Sequence, residues 1–280
     1  MKKTISSTVA MLKKANLQAK IASRPLYLTA IILLVWSFVS LILAYFDPRL
    51  FQGVSVWWKP WKFQISTSLF LYTLSYFLYF VPEVKKQAWA AKFVVWGSIA
   101  AAAFELIYIA VQASYGQASH FNVATPLYAL LYNLMAFGAM VLTTAALVLG
   151  ILVLKHAKQT LDRPMRHAIS LGLIITFVLG SFTGSYLGAQ RATGHWVGGV
   201  ASDAASTLIF HWSKTGGDLR VSHFFSLHAM QFLPLIALYI ASTQLKAKNQ
   251  IVVVWLFSAS YALFCVGTFI QAVRGVPFLA

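Results

Sequence analysis

Between Thr215 and Pro234 the chain carries Asp218, Arg220, His223, His228 and Gln231 into an apolar run. An acid, a base and two imidazoles are costly in a segment that crosses lipid unless they face protein or a water-filled cavity, so they mark a candidate site. On a helix His228 and Gln231 lie three apart and share a face, whereas His223 is turned about 140° from His228. One metal ion held by both imidazoles of that segment alone is therefore awkward. A ligand set that takes His223 or His228 from the helix, His195 or His211 from the loop before it, and Asp218 or Glu105 has the donor types for zinc or iron, although no short spacing certifies it. Without a metal, His228, His223, Glu105 and Asp218 are the candidates for acid–base catalysis.

Glu105 is the acidic residue that falls inside an apolar run, and that position makes it either a protonated or hydrogen-bonded structural carboxyl or a ligand or proton carrier. Arg49, Lys59, Lys62 and Arg220 flank the apolar runs, with Trp58 beside them. The bland reading of these cations is snorkelling to phosphates; the sharper one is a cationic mouth that holds an anionic substrate together with Trp58 and Gln231. Further polar residues recur at helical spacing: Gln64, Ser68, Tyr72, Ser75 and Tyr79 on a face about 80° wide, then Tyr108 and Gln112 beyond Glu105. The Gly180, Gly184, Gly188 ladder reads as a close helix approach.

Composition fixes what must hold these residues. Of 280 residues 59% are hydrophobic and 10% charged, and the mean hydropathy of +0.73 belongs to an all-α polytopic membrane protein rather than a soluble domain. The net charge of +16 does not indicate nucleic acid, because the Lys and Arg sit in short segments between apolar runs, where they set topology and touch anionic headgroups. The single Cys265 allows no internal disulfide and reads as a packing residue.

Seven apolar runs, at 26–46, 63–81, 91–113, 126–154, 167–189, 223–241 and 251–273, predict seven transmembrane helices. The first exceeds a signal-peptide core and lacks a cleavage site, so it is expected to be retained. The organisation is then a basic amphipathic segment at 1–25, a membrane domain at 26–273 and a short outer tail at 274–280. With the N-terminus inside, 15 Lys and Arg fall in inner segments against seven in outer ones, which orients the C-terminus outside. The loop at 190–222 is the longest connection, with Asp218 or Ser222 placed to cap the helix after it.

Asp47, Arg49 and Gly53, then Trp58-Lys59-Pro60, Lys62-Phe63 and Ser66, together with Thr215-Gly216-Gly217-Asp218-Leu219-Arg220, His223-Phe224, Leu227-His228-Ala229, Gln231 and Pro234, resemble the signatures of an uncharacterised family of bacterial polytopic membrane proteins. The resemblance implies a multi-pass protein of the bacterial inner membrane whose two signature stretches form one site, and carries no activity. The ceramidase-type seven-helix zinc hydrolases are a weaker comparison, since the five-residue step from His223 to His228 departs from their H-x-x-x-H pairing.

The function expected from these residues is a membrane-embedded enzyme, metal-dependent in one version, acting on a lipid or lipid-linked anionic substrate at the outer leaflet, with membrane lipids as its partners. The alternatives are a proton-coupled transporter, against which no inverted repeat is seen, and a haem or quinone redox protein, which needs histidines on facing helices.

Overall fold

The computed structural model describes residues 2–204 and 206–279. Its helices follow the apolar runs. Six are long and apolar enough to cross a membrane: α2 (Arg24–Phe46), α5 (Trp89–Ser114), α6 (Pro126–His156), α7 (Arg163–Ala189), α8 (Leu219–Ala241) and α9 (Ala247–Val273). This is the build of a multi-pass membrane protein. Even the shortest, at 23 residues, extends about 35 Å at 1.5 Å per residue and exceeds a hydrocarbon core of about 30 Å.

The remaining helices among the described residues are α1 (Lys2–Ala22), α3 (Trp58–Leu78) and the short α4 (Glu83–Lys86). Helix α3 covers the second apolar run but falls outside the six, because Lys59, Lys62, Gln64, Ser66, Ser68, Thr73 and Ser75 dilute its hydropathy. Helix α1 forms where a basic helix was expected, and its end docks on α3: Ala19 is fully buried, and Ser75 Oγ donates to the carbonyls of Ala19 at 2.8 Å and Ser23 at 3.1 Å.

Several helices begin before their apolar run, because hydropathy marks where apolar surface starts and not where the hydrogen-bond ladder does. Thr125, Asp162 and Asp218 cap α6, α7 and α8 by accepting the backbone N–H of Tyr128, Met165 and Arg220, as their side chains favour. Prolines 25, 126 and 164 occupy first turns, where the missing N–H costs nothing. Capping by Asp218 starts α8 four residues ahead of the expected 223.

One core joins α2, α3, α5, α6, α7 and α8 through Leu26, Leu71, Leu106, Leu149, Leu173 and Met230, all essentially inaccessible. The outer faces of α2 and α9 are different, with Ile32, Val35, Phe38, Leu256 and Leu263 exposed, a surface suited to acyl chains.

At one end of the bundle two connections fold together. Residues 47–57 form a hairpin, β1 (Leu50–Phe51) against β2 (Val54–Ser55). In the 190–218 connection β3 (Trp196–Val197) pairs with β4 (Gly217–Asp218). The hairpin tip lies against residues 202–204: Gln52 O accepts from the N–H of Asp203 at 2.9 Å, and a Cβ on Gly53, whose φ is +88°, would stand 2.8 Å from Ala204 Cβ. Both the turn and the close approach demand glycine there.

Candidate functional site

Beneath this cap lies a cavity of about 1920 Å³, walled by α2, α3, α5, α6, α7 and α8 and reached at Leu12 and Asn16 by α1. It is roughly twice the upper end of the usual range for small-molecule pockets, about 300–1,000 Å³. Lys59, Lys62, Ser66, Glu105, His120, His195, Trp196, Arg220, His223, His228 and Gln231 all reach its surface, so the two signature stretches, distant in sequence, border one space.

Helix α3 supplies one wall. Because it starts at Trp58 rather than 63, Lys59, Lys62 and Ser66 fall at i, i+3 and i+7 on one helical face. Of the stripe read from the sequence, Gln64, Ser68 and Ser75 are buried while Tyr72 and Tyr79 are half-buried; Ser68 Oγ donates to Ala30 O at 2.7 Å and Ser75 holds α1, whereas the buried Gln64 amide has no partner among the described residues. Lys59 is half-buried and meets the Phe63 ring, 5.9 Å from its centroid, with no carboxylate partner among the described residues. Lys62 Nζ donates to Phe210 O at 3.2 Å and lies 3.3 Å from His211 Nδ1.

The other cations expected at the mouth are differently placed. Arg49 does not line the cavity; its guanidinium is paired with Asp47 at 2.6 Å and donates to Ser114 O at 2.8 Å, tying the ends of α2 and α5. Arg49, with the Trp57 indole N–H, holds the Asp47 carboxyl well below the usual carboxylate range. Arg220 borders the cavity, but its donors are taken by Asp218 at 2.7 Å, Asp203 at 2.9 Å and the His211 carbonyl. The guanidinium is thus a clamp that fastens the 190–218 cap to α8. Asp218, 1% exposed, receives Arg220 and the Ser213 N–H, which leaves it a structural anion rather than a free acid.

The imidazoles part company. His228 Nε2 is 3.5 Å from Ser66 Oγ, and its Nδ1 is 3.3 Å from Gln231 Oε1. His223 turns to α7, with Nδ1 3.2 Å from Thr183 Oγ1. Thr183 already gives its hydroxyl hydrogen to Leu179 O at 2.7 Å, so His223 Nδ1 must be the donor and its Nε2 keeps a lone pair. His195 is held by Asp203 through Nε2 at 3.4 Å. A carboxylate only accepts, so that nitrogen carries the hydrogen. Burial pulls the His195 ring below its usual range, and the Asp203 hydrogen bond only partly offsets it. Burial by itself would raise Asp203, but His195 and Arg220 outweigh it and hold the carboxyl low.

His211 lies behind Lys62, outside the cavity lining. The ligand set drawn from His228, His223, His195 and His211 therefore does not assemble: each ring faces a different partner, and among the described residues no group of three His, Cys, Asp or Glu comes together for a metal. The five-residue step that turned His223 from His228 is the reason, since it sends one ring to α3 and the other to α7.

Glu105 reaches the cavity from α5 with Oε1 buried and unpartnered, packed over Gly138 so closely that a Cβ there would meet Oε1 at 2.9 Å. The Trp196 indole Nε1 is likewise buried without a partner. Among the described residues other buried polar atoms also lack a partner, Gln64 and Gln112 included, but Glu105 and Trp196 are the ones whose residues line the cavity, where a ligand or water can reach them. Trp58 contributes its ring beside His211, 5.3 Å away.

Ser66 stands in the sequence only as part of a signature, and three further contributors, Thr73, His120 and Asp203, carry no signal there. Ser66 and Thr73 lie on α3, but the groups they meet, His228 and Gln231, stand on α8, so only the folded bundle shows what they face. His120, on the 115–125 connection, packs on Phe63 and Tyr132, and burial with the Lys59 charge drives its ring well below the usual range. Asp203 carried no local signal, since its partners Arg220 and His195 are brought to it only by the folded cap. No protein-family profile, curated protein or solved structure matches the chain.

Proposed function

We propose that this is a membrane-embedded enzyme that draws an anionic lipid or lipid-linked substrate into the capped cavity. The observation that carries the reading is Lys59: an ammonium without a carboxylate partner among the described residues, one turn from Lys62, at the edge of a cavity of about 1920 Å³. A half-buried cation lacking an anion is less favourable in the empty protein than a paired one and is satisfied by an anionic headgroup. The unpartnered Trp196 Nε1 adds a neutral donor nearby, and the volume beyond suits acyl or isoprenoid chains.

In this reading α3 is a seventh span, the N-terminus is inside and the cap is outside, in a bacterial inner membrane as the signature stretches imply. The connection at 47–57 and the end of α5 share one end of the bundle, where Arg49 donates to Ser114 O. The intervening chain must therefore run the length of the bundle twice, once as α3. The cap end also holds the smaller share of Lys and Arg, as an outer face does.

The test is lipid content. Protein purified in mild detergent is extracted and the lipids identified by mass spectrometry, for wild type, Lys59→Gln and the Lys59→Gln, Lys62→Gln pair. Anionic lipid retained by wild type is expected to fall about 10-fold or more in the double variant, two charge-assisted contacts at roughly 1.5–3 kcal/mol each being lost. Equal retention of zwitterionic and anionic lipid by wild type overturns the reading.

A further inference from the structure

Five helical hydroxyls near the middle of their helices fold back on their own backbone: Thr29, Thr73, Thr143, Thr183 and Ser258 each donate to the carbonyl four residues earlier, one common way to satisfy them in a helix. Ser66, on the cavity wall, makes no such bond and is turned across the space to His228 Nε2 at 3.5 Å.

The polarity of that contact follows from the groups behind it. Thr73 gives its single hydroxyl hydrogen to Leu69 O at 2.7 Å, so its oxygen accepts from Gln231, whose Nε2 is 3.1 Å away. With the amide nitrogen so engaged, the carbonyl Oε1 of Gln231 faces His228 Nδ1 at 3.3 Å. An amide oxygen only accepts, so Nδ1 carries the imidazole hydrogen and Nε2 presents a lone pair to the Ser66 hydroxyl. Four side chains from two helices thus fix one tautomer, the one a general base needs. A nucleophile, a base in reach of it and a third group orienting the base is the arrangement that activates a serine. Contacts of this kind are often long before substrate binds.

We propose that Ser66 is a catalytic nucleophile and His228 its base, with Gln231 and Thr73 as positioning residues, and that the substrate is an ester-bearing anionic lipid. The inference rests on the lipid-binding reading of the same cavity and names the bond that is cut. Ser66 Oγ adds to the ester carbonyl as its hydrogen passes to His228 Nε2. Collapse of the adduct breaks the ester C–O bond, and the departing oxygen takes that hydrogen and leaves as an alcohol. Water then adds to the acyl-serine, giving a proton to Nε2; the acyl–Oγ bond breaks, Oγ recovers the proton, and a carboxylic acid departs. Lys62, one turn before Ser66 and with one ammonium hydrogen beyond the two contacts it makes, supplies positive charge for the developing oxyanion.

The experiment treats detergent-purified full-length protein with a long-chain alkyl fluorophosphonate, which reports activated serines, and follows adduct formation by intact mass and peptide mapping. Lipid retention is measured on the same samples. The expected result is one adduct, on Ser66, formed about 100-fold or more slowly in His228→Gln and slowed less in Gln231→Leu, while both variants keep anionic lipid and so remain folded. Anionic lipid retained with no adduct on Ser66 overturns the nucleophile and leaves the binding reading standing. Labelling of Ser66 at an unchanged rate in His228→Gln overturns the base. Absence of both adduct and bound lipid in wild type overturns both.

Discussion

His211 combines a backbone φ of +55° with a side chain 7% exposed, beside the Lys62 ammonium. Non-glycine residues seldom adopt that conformation, Asn being among the few that tolerate it. Burial first, then the Lys62 charge, push its ring down to about 4 from an ordinary 6.5, so it is neutral at physiological pH and accepts from Lys62. The sign of the pH dependence follows. Above pH 6.5 neither the folded nor the unfolded ring is protonated, and the contribution to stability is complete. As the pH falls from 6.5 towards 4 only the unfolded chain gains the proton, and up to about 3 kcal/mol is lost. His120 and His195, also lowered, act in the same direction. Thermal midpoints at about pH 7 and about pH 5 are expected to separate in wild type and to converge partly in His211→Asn, which suits the backbone and removes the proton. An unchanged gap in the variant would place the acid sensitivity elsewhere.

At the scale of elements, α7 packs tightly on α8 along a row of glycines. A Cβ on Gly184 would lie 2.8 Å from the His223 ring and one on Gly180 2.9 Å from Leu227, whereas at Gly172 it would meet backbone, Ala229 O at 2.9 Å and Met230 Cα at 3.0 Å. A side chain can shift; a helix backbone cannot without moving α8 and with it His228. Gly172→Ala is therefore expected to destabilise by about 1–3 kcal/mol, outweighing the roughly 1 kcal/mol that alanine gains over glycine in a helix. Gly267→Ala, on α9 with nothing within 4 Å, keeps that gain and is expected to be neutral or slightly stabilising. Thermal unfolding in detergent reads both, and equal midpoints would refute the packing argument.

The sequence showed the 180, 184, 188 ladder as a packing surface but not Gly172, because its repeat identifies a small-residue face while only the assembled pair shows which level meets backbone. The same limit governed the site. The turn between His223 and His228 was legible from spacing alone and holds. The role of Ser66 depended on His228, which another helix brings to it, and the clamp of Arg220 on Asp203 depended on the 190–218 connection, whose fold no local pattern encodes. Charge counting marked Arg220 and Lys59 alike as cations; only the carboxylates around one of them separate a clamp from a free ammonium.

Over the whole molecule, the proposed arrangement turns on α3. A helix of 21 residues extends about 32 Å, enough for the hydrocarbon core, and its low hydropathy follows from Lys59, Lys62 and Ser66 on the cavity wall and from Ser68 and Ser75 packed against neighbouring helices. A crossing α3 puts the 47–57 hairpin and the 115–125 connection on one side of the membrane; an α3 that does not cross puts them on opposite sides. Cys265 is 1% exposed and needs no removal, so single cysteines at Leu50, Ala124 and Thr160, all exposed, can be probed in intact cells with a membrane-impermeant maleimide. Leu50→Cys and Ala124→Cys are expected to label directly, and Thr160→Cys only after permeabilisation, because it lies in the Lys- and Arg-rich inner set. Opposite behaviour of the first two would remove α3 from the spans, and with it the outward-opening mouth formed by Lys59 and Lys62. Labelling of Thr160→Cys alone would instead invert the protein, so that the cavity would take its anionic substrate from the cytoplasmic leaflet, where anionic headgroups are concentrated.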